Sequence, residues 1–224
     1  MRDSDAAAAA SDRLLESIRS GDLVEIDRLL STDPALAASR DERGVSILMN
    51  ALYHRRPEIA ERVLDAGIDP DVHEAAALGN VERVRTWLDS SGDLIEHRAA
   101  DGFTPLHLAA YFSHPPVVRL LIERGAGVDA EADNPSRVRP VHSAVAARSA
   151  EIVRILLEAG ADPNVQQHGG WTALHAAAQH GDGALVRILL DHGADAGLQS
   201  DDGRTAADFA RAGGHDDVAA LLTG

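Results

Sequence analysis

Apolar residues along this chain recur at helical spacing, in short runs broken by Gly and polar clusters. In "PPVVRLLIERG", Val117, Val118, Leu120 and Leu121 fall on one face of a single helix. Pro115 and Pro116 stand at its start, where no intrahelical N–H is lost, and Gly125 follows its end, suited to a left-handed stop. A shorter apolar run, "TPLHLAA", precedes it, with Thr104 placed to cap a helix and Pro105 in the first turn. The spacing predicts a helix of about nine residues, a break, a second helix and a polar return.

The same text recurs. "FTPLHLAAYFSHPPVVRLLIERGAGVD" is echoed by "WTALHAAAQHGDGALVRILLDHGAD", with "RPVHSAVAARSAEIVRILLEAGAD" between them. Weaker copies are "VSILMNALYHRRPEIAERVLDAGID" and "VHEAAALGNVERVRTWL", and the ends carry "RLLESIRSGDLVEIDRLL" and "RTAADFARAGGHDDVAALL". With the Thr of "TPLH" as origin, the copies begin at Asp12, Ser46, Pro70, Thr104, Arg139, Thr172 and Thr205. Five steps lie close to 33 residues, and the step from Ser46 to Pro70 is 24. A helix pair this short cannot bury its apolar face alone; stacked copies bury one continuous core, and the Ala109-Ala110 and Ala177-Ala178 pairs allow close approach.

"TPLHLAA", "RLLIERGA", "TALHAAAQHGD" and "EAGADPN" closely resemble the ankyrin repeat, and the likeness runs from about Asp12 to the end of the chain. It implies an all-α solenoid of about seven helix-turn-helix repeats with hairpin-like finger loops. It also implies a concave face built from the fingers and first helices, and a role in binding other proteins. Residues 1–11 are expected to be a flexible tail and 12–224 a single array, with charges such as Glu25 and Asp208 marking the end copies. The short step predicts a missing finger between Asp69 and Glu74, and "AEADNPSRVRP", lacking a Gly, predicts an irregular one. Arg55, Ser113 and Arg148 stand where Gly181 breaks its copy, so the bend there is not specified by glycine.

Composition narrows the function. There is no cysteine, hence no disulfide or thiolate chemistry, which accords with an expected cytoplasmic location. The net charge of -15 opposes nucleic acid and anionic membranes as partners. No apolar run approaches the roughly 20 residues that span a bilayer. The seven Asp and two Arg from Asp191 to Gly224 make the last copy acidic, read first as solubility and second as a dock for a basic partner.

Histidine offers the candidate chemistry. His73, His107, His142 and His175 each lie three residues after an origin, where the resemblance implies a structural hydrogen-bonding role. His168, His175 and His180 could be read as a metal cluster, but their spacing is not an i, i+4 pair and no carboxylate lies at the helical positions a zinc site would use. Phosphate loops, nucleophile elbows and paired acid–base groups are absent from the sequence. No catalytic residue, cofactor or metal is therefore expected.

The chain's seven aromatic residues settle where binding is expected. Through the resemblance, the residue before each origin sits at a finger base, and the seventh and eighth after it on the open side of the first helix. Tyr53, Phe103, Tyr111, Phe112 and Trp171 map to that face, together with His54, Gln179, His180 and Arg204. Trp87 aligns with Leu121 and Phe209 with Leu108, both core positions. Aromatic residues before "TPLH" can also serve as packing for the finger. The expectation is a monomeric adaptor binding a protein or peptide. A small-molecule- or metal-binding enzyme and a self-assembling scaffold stand as alternatives.

Overall fold

The computed structural model describes residues 2–224, with side chains from residue 9 onward. Fourteen α-helices carry the described residues: α1 (Arg2–Ser20), α2 (Leu23–Thr32), α3 (Ile47–Tyr53), α4 (Pro57–Asp65), α5 (Val72–Ala77), α6 (Val81–Ser90), α7 (Pro105–Tyr111), α8 (Pro115–Glu123), α9 (Pro140–Ala146), α10 (Ala150–Glu158), α11 (Ala173–Gln179), α12 (Gly183–Asp191), α13 (Ala206–Ala212) and α14 (Asp216–Thr223). Single turns of 3₁₀ helix lie at Pro34–Ala38, Gly92–Ile95 and His168–Gly170. Among the described residues, strand-like pairing is limited to isolated bridges, Arg40 with Ser46 and Gln199 with Thr205. The fold is thus the all-α repeat array read from the sequence, with interior first helices of six or seven residues rather than nine.

The chain divides into two compact units, residues 1–74 with 99–101, and residues 75–98 with 102–224. In the first, α1 packs on α2 and α3, and α2 on α4, around Leu14, Ile18, Ile26, Ile47, Leu48, Ile59 and Val63, all buried. In the second, α7, α9, α11 and α13 stack in order as one layer, and α6, α8, α10, α12 and α14 as the other. Paired aliphatics of the outer layer, Val117 and Val118, Ile152 and Val153, Leu185 and Val186, close on the small residues Ala109, Ala144 and Ala177 of the inner one. The burial answers the helical spacing in the sequence.

The expected tail at residues 1–11 falls partly outside the described residues, Met1 entirely and the side chains of 2–8. The backbone from Arg2 is helical and continuous with the first repeat, so Asp12 lies inside α1 rather than capping it. The alanine run Ala6–Ala10 has the highest helix propensity available, which favours extending the helix backward.

Three loop positions resolve otherwise than glycine chemistry alone would suggest. Arg55, Ser113 and Arg148 take the same left-handed conformation as Gly181, with φ of 54°, 61° and 54° against 68°. The bend between the two helices is therefore preserved without glycine. It is closed by backbone bonds such as His114 N–H to Ala109 O and Ser149 N–H to Ala144 O, both within 3.0 Å, which over-determine the intervening residue.

The fingers also follow the sequence with one elaboration. Between Asp65 and Val72 the first unit has only a turn with no bridge, as the short step predicts. The longer finger at 130–138 closes through Ala132 N–H to Val138 O at 2.9 Å, with Arg137 at φ 53° where other fingers use Gly. Glu131 accepts from both Arg137 (2.9 Å) and Arg139, which hold its carboxyl down at about 2 and fasten the irregular loop.

Candidate protein-binding face

In the second unit the first helices present their capping ends toward the fingers, and histidine joins the two. His107 Nδ1 accepts from the Thr104 hydroxyl at 2.8 Å, while its Nε2–H donates to the carbonyl of Val138 in the next finger at 3.1 Å. His175 repeats this with Thr172 (2.9 Å) and the carbonyl of Arg204 (3.2 Å). Each such imidazole caps its own helix and suspends the following finger. Burial pushes His107 and His142 down to about 4, and His175 down as well. Arg98 and Arg139 add to the effect at His107, against the carbonyl of Val138. The ring must therefore stay neutral to keep both an acceptor and a donor nitrogen.

Two members of the aligned series depart from this arrangement. His142 Nδ1 accepts from Arg139 N–H at 3.0 Å, but its buried Nε2 makes no close hydrogen bond, with the carbonyls of Val165 and Trp171 as its nearest acceptors. His73 does not share the histidine place at all. Asp71 is the capping residue of that copy, and Glu74 reaches back to Asp71 N–H at 2.9 Å while Asp71 accepts from Glu74 N–H at 3.0 Å. The origin in that copy is one residue later than Pro70, and buried His73 lies 3.7 Å from Asp71 instead. The signal was present in "DVHE", a capping-box pattern that the histidine alignment overrode. Asp208 fills the same place in the last copy, accepting from Thr205 N–H at 3.0 Å.

The finger-base aromatics are shared between packing and exposure. Phe103 is half-buried with its ring 5.7 Å from His107. Trp171 is half-buried near His175 (6.0 Å) and Phe209 (4.4 Å), and the Arg204 guanidinium lies over the Phe209 ring at 4.0 Å. Phe209 itself is core, as aligned. Trp87 is not: Val84 and Leu88 point inward from α6, and Trp87 is left half-buried with Arg83 4.8 Å above its ring. Trp87 holds the helical position of Leu121, but its larger indole is only half-buried there, with Leu88 buried beside it.

The helix-end positions differ in character. Tyr111 is 38% exposed and meets half-buried Phe112 edge-on at 5.1 Å. Ala146 is exposed and Ala147 half-buried at the equivalent place in the next repeat. Leu78, half-buried, takes the corresponding place once Asp71 is the origin, and was hidden by the one-residue misalignment. Toward the last repeats the same row turns polar, with Gln179 and His180 exposed and Arg204 paired to Asp202 at 2.6 Å. In the first unit His54 is exposed, and Tyr53 is half-buried with its hydroxyl donating to Asp101 at 2.6 Å. Among the described residues no group of three His, Asp or Glu side chains could hold a metal, and no helix is long and apolar enough to cross a membrane.

The family described as Ankyrin repeats (3 copies) matches residues 72–167 and 159–224. The chain belongs to the ankyrin-repeat family. It is 34% identical over 156 residues to B-cell lymphoma 3 protein homolog of Mus musculus, an alignment covering 70% of this chain and 30% of that one. It is 29% identical over 180 residues to Target of rapamycin complex 2 subunit AVO2 of Saccharomyces cerevisiae, covering 74% and 42%. With SH3 and multiple ankyrin repeat domains protein 2 of Homo sapiens it shares 28% over 154 residues, covering 64% and 8%. The chain thus spans less than half the length of these relatives. Membership brings with it the role of a protein–protein interaction module, a class that is generally not enzymatic.

Proposed function

We propose that this ankyrin-repeat chain is a non-catalytic adaptor whose second unit binds a protein or peptide on the row of helix ends centred on Tyr111 and Phe112. The observation that carries the reading is the exposed Tyr111 set edge-on against Phe112, in a chain with only seven aromatic residues. Buried packing does not require Tyr111, whereas aromatic anchors dominate binding energy when a partner covers them. Leu78, Ala146 and Ala147 supply an apolar surround, and Gln179, His180 and Arg204 a polar margin. Phe103 and Trp171 hold the fingers in place and offer only their open edges. His54, with Tyr53 tied to Asp101, is the corresponding contact of the first unit.

The exposed acidic groups of the last repeat, Asp201, Asp202, Asp216 and Asp217, favour a partner with basic groups toward that end and an apolar centre. Nucleic acid and anionic membrane are excluded from the proposal by the same charge. A monomeric state and a cytoplasmic location belong to it also; sedimentation velocity and cell fractionation test them. The main experiment replaces Tyr111 and Phe112 together by Ala. Partners captured by the wild-type chain from its host are identified by mass spectrometry, and the purified pair is then titrated by calorimetry with each variant. Affinity is expected to fall by about 2–4 kcal/mol while the melting temperature is nearly unchanged. Unaltered affinity in a normally folded variant would remove this face from the reading.

A further inference from the structure

The residue that enters each second helix takes one of two forms. Asn80, Ser149 and Asp182 cap their own helices, accepting from Arg83 N–H (2.9 Å), Ile152 N–H (3.4 Å) and Leu185 N–H (3.0 Å). Arg56, His114 and His215 make no such cap. Their side chains reach back over the loop of the preceding repeat instead. His114 Nε2–H donates to the carbonyl of Ala77 at 2.8 Å, satisfying the last residue of α5, whose carbonyl has no intrahelical partner.

That reach has a steric condition. A methyl group on Gly79 would lie 2.5 Å from His114 Nδ1, and one on Gly181 2.6 Å from His215 Cε1. On Gly21 it would lie 3.1 Å from the Arg56 guanidinium carbon. Each of these bulky residues therefore sits over a glycine. The repeats whose left-handed loop residue carries a side chain, Ser113 and Arg148, are followed by the short self-capping Ser149 and Asp182. In sequence order, Arg55 is likewise followed by Asn80.

We propose that these positions form a neighbour-matching pair. A left-handed glycine admits a bulky His or Arg from the next repeat, which docks across the interface; a left-handed residue with a side chain requires a short polar residue, which caps its own helix. The pair thereby biases which repeat can follow which, because a bulky residue set over a left-handed side chain clashes, and a short residue set over a left-handed glycine gives up the reach across the interface that His114 makes to Ala77 O. Helix–helix stacking of the two layers recurs through the second unit, whereas the loop residue alternates from repeat to repeat.

Two thermal-denaturation experiments on the full chain test the matching. In a double-mutant cycle, Gly79→Ala is made with and without His114→Ser. The strain of placing a methyl group on this left-handed backbone is common to both backgrounds and cancels. The matching rule expects Gly79→Ala to lower the midpoint at least about twice as far with His114 present as with Ser in its place. Equal shifts in the two backgrounds would overturn the rule. If Gly79→Ala fails to fold, the exchange at the other kind of interface decides. Asp182→His alone, in the repeat that follows Arg148, is expected to lower the midpoint, and adding Arg148→Gly to restore it beyond what Arg148→Gly gives on its own. An Asp182→His shift that is indifferent to residue 148 would count against the proposal.

Discussion

Acidification should weaken this fold well above the carboxylate range, through the buried histidines. In the unfolded chain an imidazole takes up a proton near its ordinary value of 6.5; in the fold His107 and His142 do so only at about 4. Between those limits the unfolded chain binds more protons, so stability is present in full above about 6.5 and is lost as pH falls toward 4. From about pH 7.5 to about pH 5.5 each of the two residues removes about 1.4 kcal/mol, and His175 acts in the same direction. Together they amount to about 3 kcal/mol, a large share of an ordinary stability of about 5–15 kcal/mol. Glu131 and Asp202, held at about 2 by their arginines, contribute little above pH 5.5, because an unfolded carboxylate is still ionised there. Urea titrations followed by far-ultraviolet circular dichroism at the two pH values read the difference as a lower midpoint. Replacing His107 by Ala separates the proton from the packing. It costs about 1–3 kcal/mol at pH 7.5, since the Thr104 hydroxyl and the Val138 carbonyl lose their partner, and it removes about half of the pH dependence. A wild-type midpoint that does not move between pH 7.5 and 5.5, or a variant with undiminished pH dependence, would refute the reasoning.

Relieving the left-handed conformation at Ser113 by Ser113→Gly should raise the midpoint modestly, by about 0.5–1 kcal/mol, since the relief of about 1–2 kcal/mol exceeds the added chain entropy; a melt checks it. Gly102→Ala should cost about 3 kcal/mol. Gly102 is at φ 85°, and the added methyl would lie 2.5 Å from the Asp133 carbonyl carbon in the adjoining finger. Hydrogen exchange at Asp133 N–H, which donates to Gly102 O at 2.9 Å, should accelerate with it. Asp208→Ala should loosen the last repeat by about 1 kcal/mol, because Thr205 N–H loses its acceptor, and limited proteolysis after Arg211 reports it.

The repeat, its period and the two-helix unit are determined by the sequence alone, because each helix is amphipathic over a distance shorter than the repeat and its caps are local. The same locality makes the missing finger legible from a single short step and the core at Val117, Val118, Leu120 and Leu121 legible from spacing. What needed the tertiary structure are the features that one segment imposes on another. Arg55, Ser113 and Arg148 are driven into a conformation their own chemistry disfavours, because the helices on either side are already fastened to their neighbours. Trp87 stands at a core position by alignment, yet only the packed neighbours decide that its ring is half-buried while Leu88 is buried beside it. Glu74 rather than His73 closes its helix because backbone geometry, not residue identity, selects the reciprocal partner of Asp71. The division of the aromatics between packing and exposure is decided in the same way. Phe209 from the next repeat covers one side of Trp171, whereas Tyr111 is followed only by Ala146 and Ala147, side chains too short to cover it.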